Sequence, residues 1–192
     1  VRSLTNTPVI GVVPAIKPAA ELSKTGVIGL LATKGTISRL YTQDLIDQFA
    51  PKHTVIRVGS DILVSLAENK LHCQQRPQQH PQSSQLNLSQ NSFSQNSTIK
   101  QELAPLINKA NLDVVVLGCT HFPLMNEEIQ QALGPSITVI DSGDAVAKQT
   151  KHILAENKRL LLTPSTLLPQ HPGHSFVFTA NKIRLEAITP AL

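Results

Sequence analysis

Aromatic side chains make up 3% of the 192 residues and tryptophan is absent, so little is available to stack on exposed bases. The 17 Lys and Arg are scattered among 13 Asp and Glu, which leaves a net charge of +4 without a basic run. Nucleic acid is therefore not the expected partner. No apolar run reaches the roughly 18 residues that would suggest a membrane span, and no part of the chain reads as a signal-like segment. Cys73 and Cys119 are the two cysteines, and their settings are too unlike for a disulfide framework; a reducing cytoplasm is the expected compartment. A metal set is also lacking, because Cys119 and His121 supply two ligands where zinc takes three or four.

What is present is ordinary for a globular chain: 41% hydrophobic and 16% charged residues, enough for one large domain or one and a part. The ends read as incomplete. Val1 to Leu4 resembles the end of a helix leading through a turn at Thr5 to Pro8 into a strand over Val9 to Val13, so an upstream piece is expected. At the other end the chain stops just as Ile183, Leu185, Ala187 and Ile188 would feed another element into a core.

Between the ends strand and helix patterns alternate. Val27 to Leu31 reads as a strand, followed by a helix with Ile37, Leu40, Tyr41, Leu45 and Phe49 on one face. Val55 to Ser60 is the second strand, and Ser60 could cap the helix that carries Ile62, Leu63, Leu66 and Ala67. A further helix is predicted from Thr98, with Gln101 completing a capping box and Ile99, Leu103, Leu106, Ile107 and Ala110 at helical spacing. It leads to the strand Val114 to Leu117, then a helix near Glu127 to Leu133, a strand over Ile137 to Ile140, and a helix from Ala145 towards Leu154. Four such units imply an α/β fold, a parallel sheet flanked by helices.

Residues 74–96 break the pattern, with eight glutamines, five serines and three asparagines, and are expected to be a mobile surface insertion. A partner-binding arm or an aggregation-prone Gln/Asn tract is the alternative. Closing so long a loop adds little, about 0.6 kcal/mol for each doubling of length.

In a parallel sheet, ligands bind at the carboxyl ends of the strands, where this chain has Thr33 and Thr36, Gly59 and Ser60, Cys119 to His121, and Asp141 and Ser142. Cys119 is the leading candidate for chemistry, as a nucleophile or an acid/base, because the nearby imidazole and a following helix N-terminus both favour a thiolate. Gly118 would let a ligand approach, and Pro123 suits the first turn of a helix. Against this stand two plainer readings. A free cysteine commonly fills apolar space, and Thr, Ser and Asp at such positions commonly cap helices. Their convergence on one edge favours a pocket for a small anion such as a carboxylate or phosphate.

The blocks Pro8 to Pro18, Gly29 to Thr36, Ala67 to His72, Gly118 to Leu124 and Asp141 to Gly143 resemble, in order and spacing, those of the bacterial glutamate racemases of the aspartate/glutamate racemase family. The resemblance implies two similar α/β domains with the active site between them, each giving one cysteine, and no cofactor. It implies interconversion of L- and D-glutamate for peptidoglycan, one thiolate removing the α-proton and the other thiol returning a proton on the opposite face. Cys119 would be the second-domain cysteine, His121 would assist it, and Thr120, Thr33 and Thr36 would contact substrate. Glu68 would be a supporting acid near the opposite base. A cell-wall nucleotide activator would lie near Arg2 and Gly11.

The resemblance also sets the expected layout, one complete domain plus remnants of a second: 1–18 as the end of the first domain and the crossover, 19–144 as the second domain, and 145–192 returning to the first. The first-domain cysteine motif is expected upstream of Val1, and Cys73 does not replace it. The chain alone is thus expected to hold half a site and to be inactive, with its apolar faces open to self-association, a homo-oligomer among the outcomes. Two alternatives stand: an aspartate or hydantoin racemase of the same plan, or a non-catalytic binding fragment.

Overall fold

The computed structural model describes residues 8–74 and 95–156. Residues Gly11 to Asp144 form one compact unit built on a four-stranded parallel sheet of order β2-β1-β3-β4. The strands are β1 (Val27–Ala32), β2 (Thr54–Gly59), β3 (Val114–Leu117) and β4 (Thr138–Ile140). The central strands β1 and β3 are continuous apolar runs because both of their faces are covered, whereas the edge strand β2 turns Thr54 and Arg57 outward.

Alternate side chains of the central strands feed two cores. Ile28, Leu30, Val114 and Val116 pack with α1 (Ile16–Leu22) and with Leu45 and Ile46 of α3 (Leu40–Phe49). Leu31, Val115 and Leu117 face the other layer. That layer is made of α4 (Asp61–Gln74), α5 (95–102), α6 (Ala104–Ile107), a 3-10 turn at Phe122–Met125, and α7 (Asn126–Leu133). Gly29 makes α6 fit: a Cβ there would lie 2.9 Å from Leu106 Cδ2. The predicted parallel α/β architecture is what is found.

Several expectations are corrected. Residues 9–13 are not a strand; the segment runs irregularly and takes no place in the sheet, since apolar alternation makes a strand only where a neighbour offers its ladder. The helix expected after β1 is two helices, α2 (Lys34–Ile37) and α3. Side chains end the first one: Ser38 Oγ donates to the Lys34 and Gly35 carbonyls, and Thr42 Oγ1 donates to the Thr36 carbonyl at 2.6 Å. The restart moves the buried face to Thr42, Leu45 and Ile46 and leaves Leu40 and Tyr41 exposed.

The helix expected from Thr98 begins at residue 95, one solvent-facing turn earlier, and Gln74 closes α4, so the ends of the polar insertion are helical. The rest of the insertion, 75–94, lies outside the described residues, as do 1–7, with the helix end expected at Val1 to Leu4, and the tail 157–192. The last helix, α8 (Gly143–Glu156), starts two residues before Ala145. From Ala145 it belongs to a second unit with Val1–Ile10, within which Thr150 Oγ1 donates to the Val146 carbonyl and His152 pairs with Glu156.

At the amino end of the sheet one carboxylate organises a loop. Asp113 accepts from Ser23 Oγ at 2.7 Å, the Lys24 amide at 2.6 Å and the Thr25 amide at 3.0 Å. Burial would raise its pKa, but the donors, Ser23 and the two amides among them, outweigh that and hold the carboxyl below its ordinary value.

Candidate functional site

Strand order places the crevice. Leaving β1, the chain pairs β2 on one side and later β3 on the other, so the loops after β1 and β3 diverge at their carboxyl ends. Leu31 is in register with Leu117, and both Thr33 and Cys119 lie two residues beyond that pair. The Gly118 amide donates to the Leu31 carbonyl at 2.8 Å, carrying the ladder one step past β3.

Gly118 works differently from the expectation. A Cβ at this position would lie 3.0 Å from Leu30 Cδ1 and 3.2 Å from Ala32 Cβ, so the missing side chain lets two strand ends close on each other; no ligand is needed to explain it. Cys119 follows directly. It is half-buried, packed on one side against the α4/α7 core and open on the other, so part of the apolar-filler reading is true of it.

The sulfur is 3.5 Å from His121 Nδ1, and His121 Nε2 is 3.5 Å from Glu68 Oε1. A thiol, an imidazole and a carboxylate thus stand in line. Local backbone sets the first contact: the Phe122 amide donates to the Cys119 carbonyl, and Pro123 opens the 3-10 turn at whose head His121 stands. Phe122, fully buried, pins this turn to the core. Glu68 reaches the imidazole from α4, whose start is fixed by buried Ser60, which accepts from the Leu63 amide at 3.0 Å. Glu68 therefore stands with His121 beside Cys119, because α4 and the turn after β3 share one face of the sheet.

Thr33 is a cap as well as a candidate. Its Oγ1 accepts from the Thr36 amide at 3.1 Å and lies 2.9 Å from Thr36 Oγ1. Buried Thr42 ties the same residue down from α3. Thr120 is exposed beside Cys119. At the end of β4, Asp141 caps its own turn through the Gly143 amide, and Ser142 Oγ donates to the Val13 carbonyl at 2.6 Å, so each has a partner within the fold. Cys73 lies in the last turn of α4, about 18 Å along that helix from Asp61. Among the described residues no group of three or more His, Cys, Asp or Glu could hold a metal ion. None of their helices is long and apolar enough to cross a membrane.

Lys70 escaped the sequence reading. It donates to the Leu124 carbonyl at 2.9 Å and to Glu128 Oε1 at 2.7 Å. Nothing in the local pattern of α4 marks a lysine whose partners lie 54 and 58 residues away.

The family model described as Asp/Glu/hydantoin racemase matches residues 1–150. A glutamate racemase of Shewanella sp. (strain MR-7) is 47% identical over 157 residues, which is 82% of this chain and 51% of that protein. One from Pasteurella multocida (strain Pm70) is 48% identical over 149 residues, 78% of this chain and 49% of the relative. The crystal structure of Escherichia coli glutamate racemase with L-glutamate and the activator UDP-MurNAc-ala superposes with a TM-score of 0.66 at 41% identity, covering 80% of this chain and 52% of that one. The chain spans about half the length of the curated relatives it matches.

Proposed function

The chain belongs to the Asp/Glu/hydantoin racemase family, and from that premise we propose that it forms the Cys119 half of a glutamate racemase that works by proton transfer without a cofactor. The observation that carries the reading is the line of Cys119, His121 and Glu68 at the carboxyl edge of the sheet. As a base, the Cys119 thiolate takes the α-proton of one enantiomer; as an acid, its thiol gives a proton to the carbanion formed from the other. His121 exchanges that proton with the sulfur, and Glu68 supports positive charge on the ring while it does so. Thr33, Thr36 and Thr120 supply hydroxyls for the substrate carboxylates, which lowers the cost of charge spreading from the α-carbon.

Inversion needs a second acid/base on the opposite face, because one base returns the proton to the side it came from. Cys73, in the last turn of α4, is not offered by any strand end. The 192-residue chain alone is accordingly expected to form no D-glutamate. The remaining layout follows the same reading: residues 19–144 are the second domain, with 1–18 and 145–192 belonging to the first. An activator of the kind named for the Escherichia coli enzyme would bind near Gly11 and Arg2, of which Arg2 lies outside the described residues. D-glutamate for peptidoglycan and a cytoplasmic location complete it.

The test supplies the other half. In a chimaera where residues 1–150 replace the matched part of the Escherichia coli enzyme, L-glutamate in deuterated water yields α-deuterated D-glutamate, and Cys119→Ala abolishes it. Undiminished racemisation with Cys119→Ala overturns the assignment, and turnover of aspartate in place of glutamate overturns the substrate.

A further inference from the structure

The 3.5 Å approach of Glu68 to His121 joins two half-exposed side chains on different elements, and such a contact does not hold those elements in place by itself. Two residues further along α4, Lys70 adds a second link between the same elements. Its Nζ donates to the carbonyl of Leu124 and to the carboxylate of Glu128. Leu124 lies in the 3-10 turn headed by His121, and its amide donates to the His121 carbonyl at 3.1 Å. Glu128 stands in the first turn of α7, which continues that turn. One ammonium group therefore binds the helix that bears the carboxylate to the turn that His121 heads and to the start of the helix that follows it.

We propose that Lys70 is a positioning residue, which sets the Glu68–His121 separation and through it the reactivity of Cys119. The inference rests on the reading of Cys119, His121 and Glu68 as the proton-transfer set. With the clamp gone, α4 and the turn keep their apolar packing through Leu63, Ala67, Phe122 and Met125, but the carboxylate loses its register with Nε2. Lys70 touches no reacting atom in this scheme.

A double-mutant cycle on the 192-residue chain tests it, reading the rate of Cys119 alkylation by iodoacetamide at neutral pH, with the Cys73 peptide resolved by mass spectrometry. Glu68→Gln is expected to slow alkylation of Cys119 about threefold or more when Lys70 is present, and less than about 1.5-fold in Lys70→Met, the non-additivity that a shared geometry demands. Lys70→Arg, which keeps the charge and the donors, is expected to restore the dependence on Glu68. Equal slowing in both backgrounds overturns the role of Lys70 and leaves the proton-transfer set standing. No slowing in either background overturns the set, and this proposal with it. Should Lys70→Met not fold, Glu128→Gln takes its place in the cycle, with the same outcomes read in the same way.

Discussion

An alanine at position 118 would put a methyl group where two strand ends come closest. Its carbon would sit 3.0 Å from Leu30 Cδ1, 3.2 Å from Ala32 Cβ and 3.4 Å from the Leu31 carbonyl oxygen, against about 3.5–4.0 Å for a relaxed carbon contact. Leu30 is fully buried and Ala32 carries its methyl directly on the β1 backbone, so neither can turn away. Overpacking of this kind costs roughly 1–3 kcal/mol, and the reduced freedom of the unfolded chain offsets about 0.4–1 kcal/mol of it. The net loss is about 1.5 kcal/mol, a fall in Tm of roughly 3–6 °C for a chain of this size. Because Cys119 is the next residue, relieving the clash also carries the sulfur away from His121, and its alkylation should slow roughly two- to fivefold. Gly26→Ala is the control. Gly26 has φ +75 with nothing within 4 Å of the added carbon, so it loses about 1–2 kcal/mol through backbone conformation alone, at the far edge of the sheet. Calorimetry and peptide-resolved alkylation are read on both variants. An unchanged Tm for Gly118→Ala refutes the packing argument. Equal slowing in Gly26→Ala shows that the thiol follows global stability and not the position of the strand end.

Phe122→Ala removes a fully buried ring from beneath the 3-10 turn and should cost about 3–5 kcal/mol by urea denaturation; a loss under about 1 kcal/mol means the ring does not anchor the turn. The Asp113 carboxyl is held below its ordinary value, so the unfolded chain takes up its proton first as pH falls. Its stabilisation is therefore full above the unfolded carboxylate range near pH 4 and disappears as pH drops through the lower folded value. Against Asp113→Asn, the wild-type advantage in Tm should be largest near pH 6 and shrink below pH 4; a constant difference down to pH 2 contradicts the hydrogen-bonded carboxylate.

The parts of this molecule that could be read directly from sequence are those decided by continuous burial. β1 and β3 announce themselves as apolar runs because helices cover both faces, and the polar groups gathered after them mark the carboxyl edge. Residues 9–13 show where this fails: their apolar character is real, but a strand also requires a partner, which no local pattern reveals. The division of α2 from α3 depends on hydroxyls of Ser38 and Thr42 capturing carbonyls, a choice hidden in residues that read as ordinary helix surface. In the candidate site, Cys119 and His121 are legible because one turn carries both. Glu68 could be named only through the resemblance, since its distance to His121 is set by how α4 packs. Asp113 and Ser23, 90 positions apart, meet by tertiary folding alone.

Ser142 and Val13 are 129 positions apart in the chain, yet one hydroxyl bridges them at 2.6 Å. The two extremities of the Gly11–Asp144 unit therefore surface as neighbours. A block of sequence whose ends sit together can be spliced into a surface loop of an unrelated host with little prising apart of that loop. Transplanted in this way, it would carry its thiol-bearing rim along as a self-contained cassette.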